Sequence, residues 1–162
     1  MTLEEIKYYS ILLGVGEFEE FKLLIKNAID GYQEIDDILA ELLFESDNMA
    51  KCCDILSESI RNKKVDNAMV SYKLICFVKG KLDRGQINRT QAIELFVRFA
   101  KEATKYNEDK IEEPWATMKL LGMILDKNNK IIYDSDLDNF LNYGKILTEH
   151  EEIQEKLYKL FG

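Results

Sequence analysis

Three aspartates at alternating positions, Asp134, Asp136 and Asp138, lie within the stretch IIYDSDLDNFLNYG and have the spacing of the first ligands of a calcium loop. Such a loop also needs a glycine at its sixth position, for the turn, and a bidentate glutamate at its twelfth. Counted from Asp134, those positions hold Asn139 and Lys145. A lysine at the closing position replaces two carboxylate oxygens with a positive charge. The pattern therefore predicts aspartates at the start of a helix, where its dipole favours acidic side chains, and no metal site.

The other residues that could do chemistry are few. His150 is the only histidine, and it lies in the polar stretch TEHEEIQ, where a solvated surface position is expected. Cys52 and Cys53 are consecutive, so on a helix they point in different directions and cannot share a zinc ion; we expect them to pack in the core. The stretch GVGEFEE follows a predicted helix and places three glutamates where a phosphate would sit. We therefore expect no catalytic residues, no cofactor and a protein that is not an enzyme.

Length and composition predict one globular domain spanning residues 1–162. The chain has 46% hydrophobic and 32% charged residues, and no apolar run approaches the ~18 residues that cross a bilayer. The N-terminal stretch MTLEEIKYY lacks the basic start and apolar core of a secretory signal. Three cysteines are an odd number without a disulfide spacing, which fits a reducing compartment. The expected location is cytoplasmic, without a membrane partner.

The apolar spacing predicts an all-α fold, a single-domain bundle of about seven to nine antiparallel helices. Thr2 with Glu5 and Asn88 with Gln91 have the spacing of helix-starting capping pairs. Stacked helical hairpins are a second arrangement that the same spacing allows. The stretch KIIY at residues 130–133 is the one candidate strand, and four residues cannot form a sheet alone.

Several helical faces are specific enough to be tested. The second predicted helix has an apolar face of Phe18, Phe21, Ile25, Ala28 and Ile29, and the third has one of Ile35, Ile38, Leu39, Leu42 and Leu43. Ser46 or Asp47 is predicted to cap the helix that follows. Trp115, the only tryptophan, comes after Pro114 on an apolar face and is expected to be buried. Thr148 with Glu151 is predicted to start a terminal helix carrying Ile153, Leu157 and Leu160.

Acidic residues are concentrated at the start of the chain. The net charge is −8, and residues 1–50 hold 12 acidic and three basic residues. The predicted contacts for a partner are Glu17, Glu19, Glu20, Asp30, Glu34, Asp36, Asp37 and Glu41, with Glu45 continuing the same pattern. Such a surface repels nucleic acids and anionic membranes and accelerates association with a basic protein. Two simpler interpretations are an ordinary solubilising face and a face that pairs electrostatically with the basic middle of the same chain.

The middle of the chain has the opposite charge, because residues 51–100 hold five acidic and ten basic residues. Its basic positions include Arg61, Lys63, Lys64, Lys79, Lys81, Arg84 and Arg89. They could contact phosphates, with Tyr72 or Phe77 stacking on bases. A nucleic-acid-binding domain usually has a basic excess, whereas this chain has a sequence pI of about 4.8. We therefore expect no nucleic-acid partner, while a separate partner for this segment stays open.

The stretch YYSILLGVGEFEEFKLLIKNAIDGYQEIDDILAELL, residues 8–43, resembles in its rhythm helical members of the immunity proteins that bacteria keep against polymorphic and contact-dependent toxins. Those proteins bind a toxin's effector domain, often a basic nuclease, and block its active site or its access to substrate. The resemblance implies a cytoplasmic, protein-binding inhibitor whose acidic positions contact a basic toxin domain.

Two other classes of function are compatible with the sequence. A helical adaptor or scaffold would hold a peptide in a groove between helices, or would self-associate, and an exposed hydrophobic groove would favour it. A carboxylate-metal enzyme would need four or more acids converging inside a bundle, yet no predicted helix carries the Glu-x-x-His pair of di-iron bundles.

Overall fold

The computed structural model describes residues 1–31, 35–106 and 112–149, excepting the side chains of residues 143–149. Within these ranges all regular elements are helical, which confirms the all-α fold class. The α-helices are α1 (Leu3–Gly14), α2 (Phe18–Gly31), α3 (Asp37–Phe44), α4 (Met49–Ile60), α5 (Asn67–Asp83), α6 (Arg89–Thr104), α7 (Trp115–Leu121) and α8 (Asp134–Glu149). A short 3-10 helix, Gly122–Ile124, follows α7.

The helices group into two compact units, Met1–Val65 and Asp66–Gly162. The first contains α1 to α4, and the second contains α5 to α8. That the two units form a single domain stays a prediction.

In the first unit, α1 packs against α2 and α4, and α3 packs against α2 and α4. The predicted capping box starts α1, because the Thr2 side chain accepts from the Glu5 amide and the Glu5 carboxylate accepts from the Thr2 amide. The chain leaves α1 through Gly16, whose φ of +87° is a conformation that favours glycine. The buried ring of Phe21 then meets Tyr9 edge-on, with ring centroids 6.2 Å apart. Helix α2 is thereby fixed against α1.

Two of the predicted apolar faces are only partly correct. Phe21 and Ile25 of α2 and Leu39 and Leu42 of α3 are buried as expected. Three members of the predicted faces are instead substantially exposed: Phe18, Ile35 and Leu43. Phe18 is the first residue of α2, and Ile35 precedes α3 altogether. The apolar pattern in the sequence therefore runs past the residues that a neighbouring helix covers. Helix α3 has only eight residues, and its buried face is correspondingly narrow.

The turn between α3 and α4 differs from the prediction in its cap. The side chain of Asn48 accepts from the Lys51 amide at 3.2 Å and caps α4, whereas Ser46 and Asp47 lie in the turn before it. Which residue caps α4 depends on where the turn ends. Asn48 is the residue whose backbone leaves the turn immediately before the first helical residue.

In the second unit, α5 packs against α6 and α8, and α6 packs against α7. The rings of Phe96 and Phe140 meet edge-on at 5.0 Å, which joins α6 to α8. Trp115 and Met118 of α7 are buried, so the prediction that Trp115 lies in a core is confirmed. The second predicted capping pair is also confirmed, with Asn88 capping α6.

Two predictions near α8 are corrected. Ile131 forms an isolated antiparallel bridge with Leu125, so the candidate strand at residues 130–133 is one bridge closing a tight turn. Helix α8 continues through Thr148, so a helix start at that residue is wrong; the Thr-x-x-Glu spacing that suggested it is not specific to helix ends. His150, Glu151 and the apolar residues predicted for the terminal helix lie outside the described residues.

Candidate functional site

Two predicted contact residues of α2 lie on one face of that helix. Glu19 and Asp30 are eleven residues apart, about three turns, and both are exposed. Leu23 and Lys26 occupy the turns between them on the same face. This stripe, opposite the buried Phe21, is therefore acidic at its ends and carries an apolar and a basic side chain in its middle.

Helix α3 has a simpler exposed stripe. Asp37, Glu41 and Phe44 have the i, i+4, i+7 spacing of one helical face, and all three are exposed. The opposite face holds the buried Leu39 and Leu42. Because α3 contains no basic residue, its solvent-facing side presents two carboxylates followed by an aromatic ring.

Asp36 has a structural role in addition to any contact with a partner. Its Oδ1 accepts from the Leu39 amide at 2.8 Å and caps α3, and its Oδ2 accepts from the Met1 amino group. Burial raises the pKa of Asp36, but the hydrogen bonds from Met1 and Leu39 outweigh this effect and hold that pKa below its ordinary value of 3.8. Asp36 is therefore a poor choice for testing partner binding by charge reversal.

The beginning of α2 is tied to the end of α3. Nζ of Lys22 lies 3.6 Å from Oδ1 of Asp47, in the turn that follows α3. Phe18 precedes Lys22 by one helical turn, and Phe44 precedes Asp47 by three residues. The ion pair therefore brings the start of α2 and the aromatic end of the α3 stripe to the same part of the first unit.

The eight predicted contacts are not equally available to a partner. Glu19, Asp30, Asp37 and Glu41 are exposed, whereas Glu17, Glu20 and Asp36 are half-buried. Glu34 lies outside the described residues. Sequence reasoning missed Phe44, whose side chain is 87% exposed, although its i+7 spacing from Asp37 was a usable signal.

The alternating aspartates of the second unit are engaged by an arginine. Arg89, at the start of α6, donates from Nε to Oδ1 of Asp134 at 3.1 Å and from its terminal nitrogen to Oδ1 of Asp138 at 2.7 Å. Asp136 lies midway between these two aspartates in the sequence and is exposed. The two carboxylates thus join α8 to α6 through a guanidinium. In the described ranges, no group of three or more histidine, cysteine, aspartate or glutamate side chains is arranged to hold a metal ion.

The cysteines differ in environment. Cys52 is buried, and its thiol contacts the carbonyl oxygen of Glu45 at 3.2 Å. Burial raises the pKa of Cys52, so this thiol is protonated at neutral pH. Cys53 is half-buried and Cys76 is exposed. Core packing is therefore confirmed for Cys52 and is incomplete for Cys53.

The predicted basic segment is divided between the two units. Arg61, Lys63 and Lys64 are exposed in the first unit, where they follow α4. In the second unit Lys81 lies over the ring of Phe77 at 4.9 Å, and Arg89 is held by the aspartates of α8. The predicted basic positions are therefore distributed over both units, and whether they contact a partner stays a prediction.

The second unit also contains a cleft of about 360 Å³ between α7 and α8. Its apolar lining includes Leu120, Leu121, Ile124 and Phe140, and Asp136 supplies a carboxylate. A cleft of this size is at the lower end of those that hold small ligands or single side chains of a peptide. It is the feature that bears on the adaptor hypothesis.

Within the part of the chain that the structure describes, none of the helices combines the length and apolar character of a membrane span. Comparison of the chain with protein-family models, with curated proteins and with solved structures gives no significant match.

Proposed function

We propose that this chain is a protein-binding inhibitor that neutralises a basic protein, in the manner of an immunity protein acting on a toxin nuclease domain. The observation that carries the proposal is the exposed stripe of α3, where Asp37 and Glu41 face solvent on a helix without a basic residue. Glu19 and Asp30 of α2 add two exposed carboxylates to the same unit.

The charge of the two units supports this assignment. Residues 1–65 hold 14 acidic and seven basic residues, whereas residues 66–162 hold 16 and 15. Nearly all of the net negative charge therefore belongs to the first unit. A concentrated field of one sign accelerates the association of an oppositely charged partner and selects against partners of like charge.

A nuclease domain is a suitable partner because its substrate is a polyanion. Proteins bind nucleic-acid phosphates mainly through lysine and arginine side chains. Carboxylates on a rigid helical face can pair with the same side chains and so exclude the substrate. Inhibition by this route requires no catalytic group on the inhibitor.

The test compares two charge reversals of equal size. The first replaces Glu19, Asp30, Asp37 and Glu41 with lysine; the matched control replaces the exposed acids Asp54, Asp83, Glu94 and Glu112 with lysine. Both variants change the net charge equally, so any difference between them reports the position of the charges. Each is measured for association rate with a protein captured from the source organism by the tagged wild-type chain.

We expect the first variant to associate at least about tenfold more slowly at low salt, and the control to remain close to the wild type. Raising the salt concentration should slow the wild-type protein toward the rate of the first variant, because screening removes the same field. The captured protein should be basic, and its nuclease activity should fall when the wild-type chain is added. An acidic partner, or equal rates for both variants, would refute the proposal.

The helical adaptor is a second candidate because of the cleft between α7 and α8. An apolar peptide side chain would enter beside Leu120, which is exposed at the cleft. If Leu120→Asp abolished capture of the partner while the acidic-face reversal left it intact, the adaptor would become the better account.

A further inference from the structure

The exposed face of the first unit is not purely acidic. Five of the ten large hydrophobic side chains that are exposed among the described residues lie between residues 18 and 44: Phe18, Leu23, Ile35, Leu43 and Phe44. Single exposed apolar residues are ordinary on protein surfaces, but a concentration of them in α2, α3 and the segment just before α3 is typical of an interaction surface.

Phe44 is the most exposed member of this group, at 87%. It occupies the last position of α3 and continues the stripe of Asp37 and Glu41, so its ring projects from the same face as those carboxylates. Glu45 and Asp47 follow it in the chain, and Asp47 is paired with Lys22. An aromatic side chain bordered by carboxylates has the composition of a binding hot spot with a polar rim.

We propose that Phe44 is the apolar anchor of the acidic face and that it inserts between the apolar side chains of a basic amphipathic segment of the partner protein. This inference rests on the proposed function and specifies the chemistry of the partner at that site. The partner must supply an apolar pocket for the ring and lysine or arginine side chains for Asp37 and Glu41.

Charge complementarity selects this occupant over the alternatives. A second copy of the chain, placed symmetrically on the same face, would bring Asp37 and Glu41 toward their own counterparts and incur like-charge repulsion. An anionic membrane surface or a nucleic acid would be repelled for the same reason. An uncharged apolar peptide would leave the two carboxylates unpaired at the edge of the contact.

The carboxylates and the Phe44 ring should affect different rate constants of binding. Solvated carboxylates act over distance and mainly set the association rate, whereas a ring buried in the complex mainly sets the dissociation rate. Phe44→Ala should therefore raise the dissociation rate with little change in the association rate. The lysine substitutions at Asp37 and Glu41 should lower the association rate with little change in the dissociation rate.

The experiment uses two synthetic peptides of equal length and charge. One is a helical peptide with leucines at i, i+3, i+4 and i+7 and lysines elsewhere; the other has the same lysines with glutamines replacing the leucines. Binding to the full chain is measured by surface plasmon resonance at low salt for the wild type, Phe44→Ala and Tyr106→Ala. Tyr106 is 80% exposed and serves as the matched control for removal of a solvent-facing ring.

We expect Phe44→Ala to weaken binding of the leucine-containing peptide by about tenfold or more, through faster dissociation, and to leave binding of the glutamine peptide unchanged. Tyr106→Ala should affect neither peptide. Because the Phe44 side chain is almost fully in solvent, circular dichroism should show both variants folded like the wild type.

The possible failures can be distinguished. If Phe44→Ala leaves both peptides unaffected while lysine substitutions at Asp37 and Glu41 weaken them, the anchor is refuted and the acidic-face proposal survives. If neither peptide binds the wild-type chain at low salt, the acidic-face proposal fails and the anchor fails with it. Sedimentation showing a dimer that Phe44→Ala dissociates would assign the ring to self-association and overturn the inference.

Discussion

Replacement of Trp115 by alanine tests whether the buried face of α7 is a main source of stability. The indole side chain is 3% exposed at the first position of the helix, and α7 packs against α6. Removing a large buried aromatic side chain loses its transfer free energy and leaves a cavity, which together cost about 3–5 kcal/mol. For a chain of this length, that loss corresponds to a decrease of about 6–20 °C in Tm.

The assay is thermal unfolding followed by circular dichroism, with chemical denaturation as a second measure of the free energy of unfolding. Met123→Ala is the control, because the Met123 side chain is 76% exposed just after α7 and its removal should change the stability by less than about 0.5 kcal/mol. Trp115→Phe retains much of the aromatic volume and should fall between the wild type and Trp115→Ala.

Because Trp115 is the only tryptophan, the emission of the wild-type protein reports this site alone. The native spectrum should be blue-shifted and should move to longer wavelengths on unfolding. If Trp115→Ala melts with the control, and if native emission already matches that of the unfolded chain, the side chain is in water and the packing assigned to α7 is wrong.

Three further predictions concern local features. Asp36→Asn should retain the α3 cap but make unfolding less sensitive to acid below about pH 4. Because the pKa of Asp36 is lowered in the folded state, its carboxylate stabilises the fold above the unfolded-state pKa, and this stabilisation is lost as the pH falls through the folded-state pKa. Gly16→Ala should lower the free energy of unfolding, measured by chemical denaturation, by about 1–2 kcal/mol because of the positive φ at this residue. Gly31→Ala should be nearly neutral, because the added Cβ would meet open space. Calorimetry should detect no stoichiometric, sub-micromolar calcium binding, because a guanidinium already engages Asp134 and Asp138; a saturable one-to-one isotherm would contradict this.

The candidate site could be predicted only in part from the sequence. The acidic excess of the first 50 residues was countable, and the helical period identified Glu19, Asp30, Asp37 and Glu41 as solvent-facing. The capping function of Asp36 and the exposure of Phe44 were not identified, because both depend on where α3 begins and ends. A shift of one or two residues in a helix boundary changes which residue is a cap and which one a neighbour covers.

The sequence by itself determined the all-α fold, the start of α1 at the Thr2–Glu5 pair, the start of α6 at Asn88 and the burial of Trp115. These features follow from contacts within one helical turn or from an apolar period, both of which are local in the chain. The tertiary structure decided the pairing of Arg89 with two aspartates of α8, 45 and 49 residues away. It also left Phe44 in solvent on an otherwise acidic stripe. The i+7 spacing from Asp37 indicates the helical face of Phe44, but burial also depends on which neighbouring helix reaches that face.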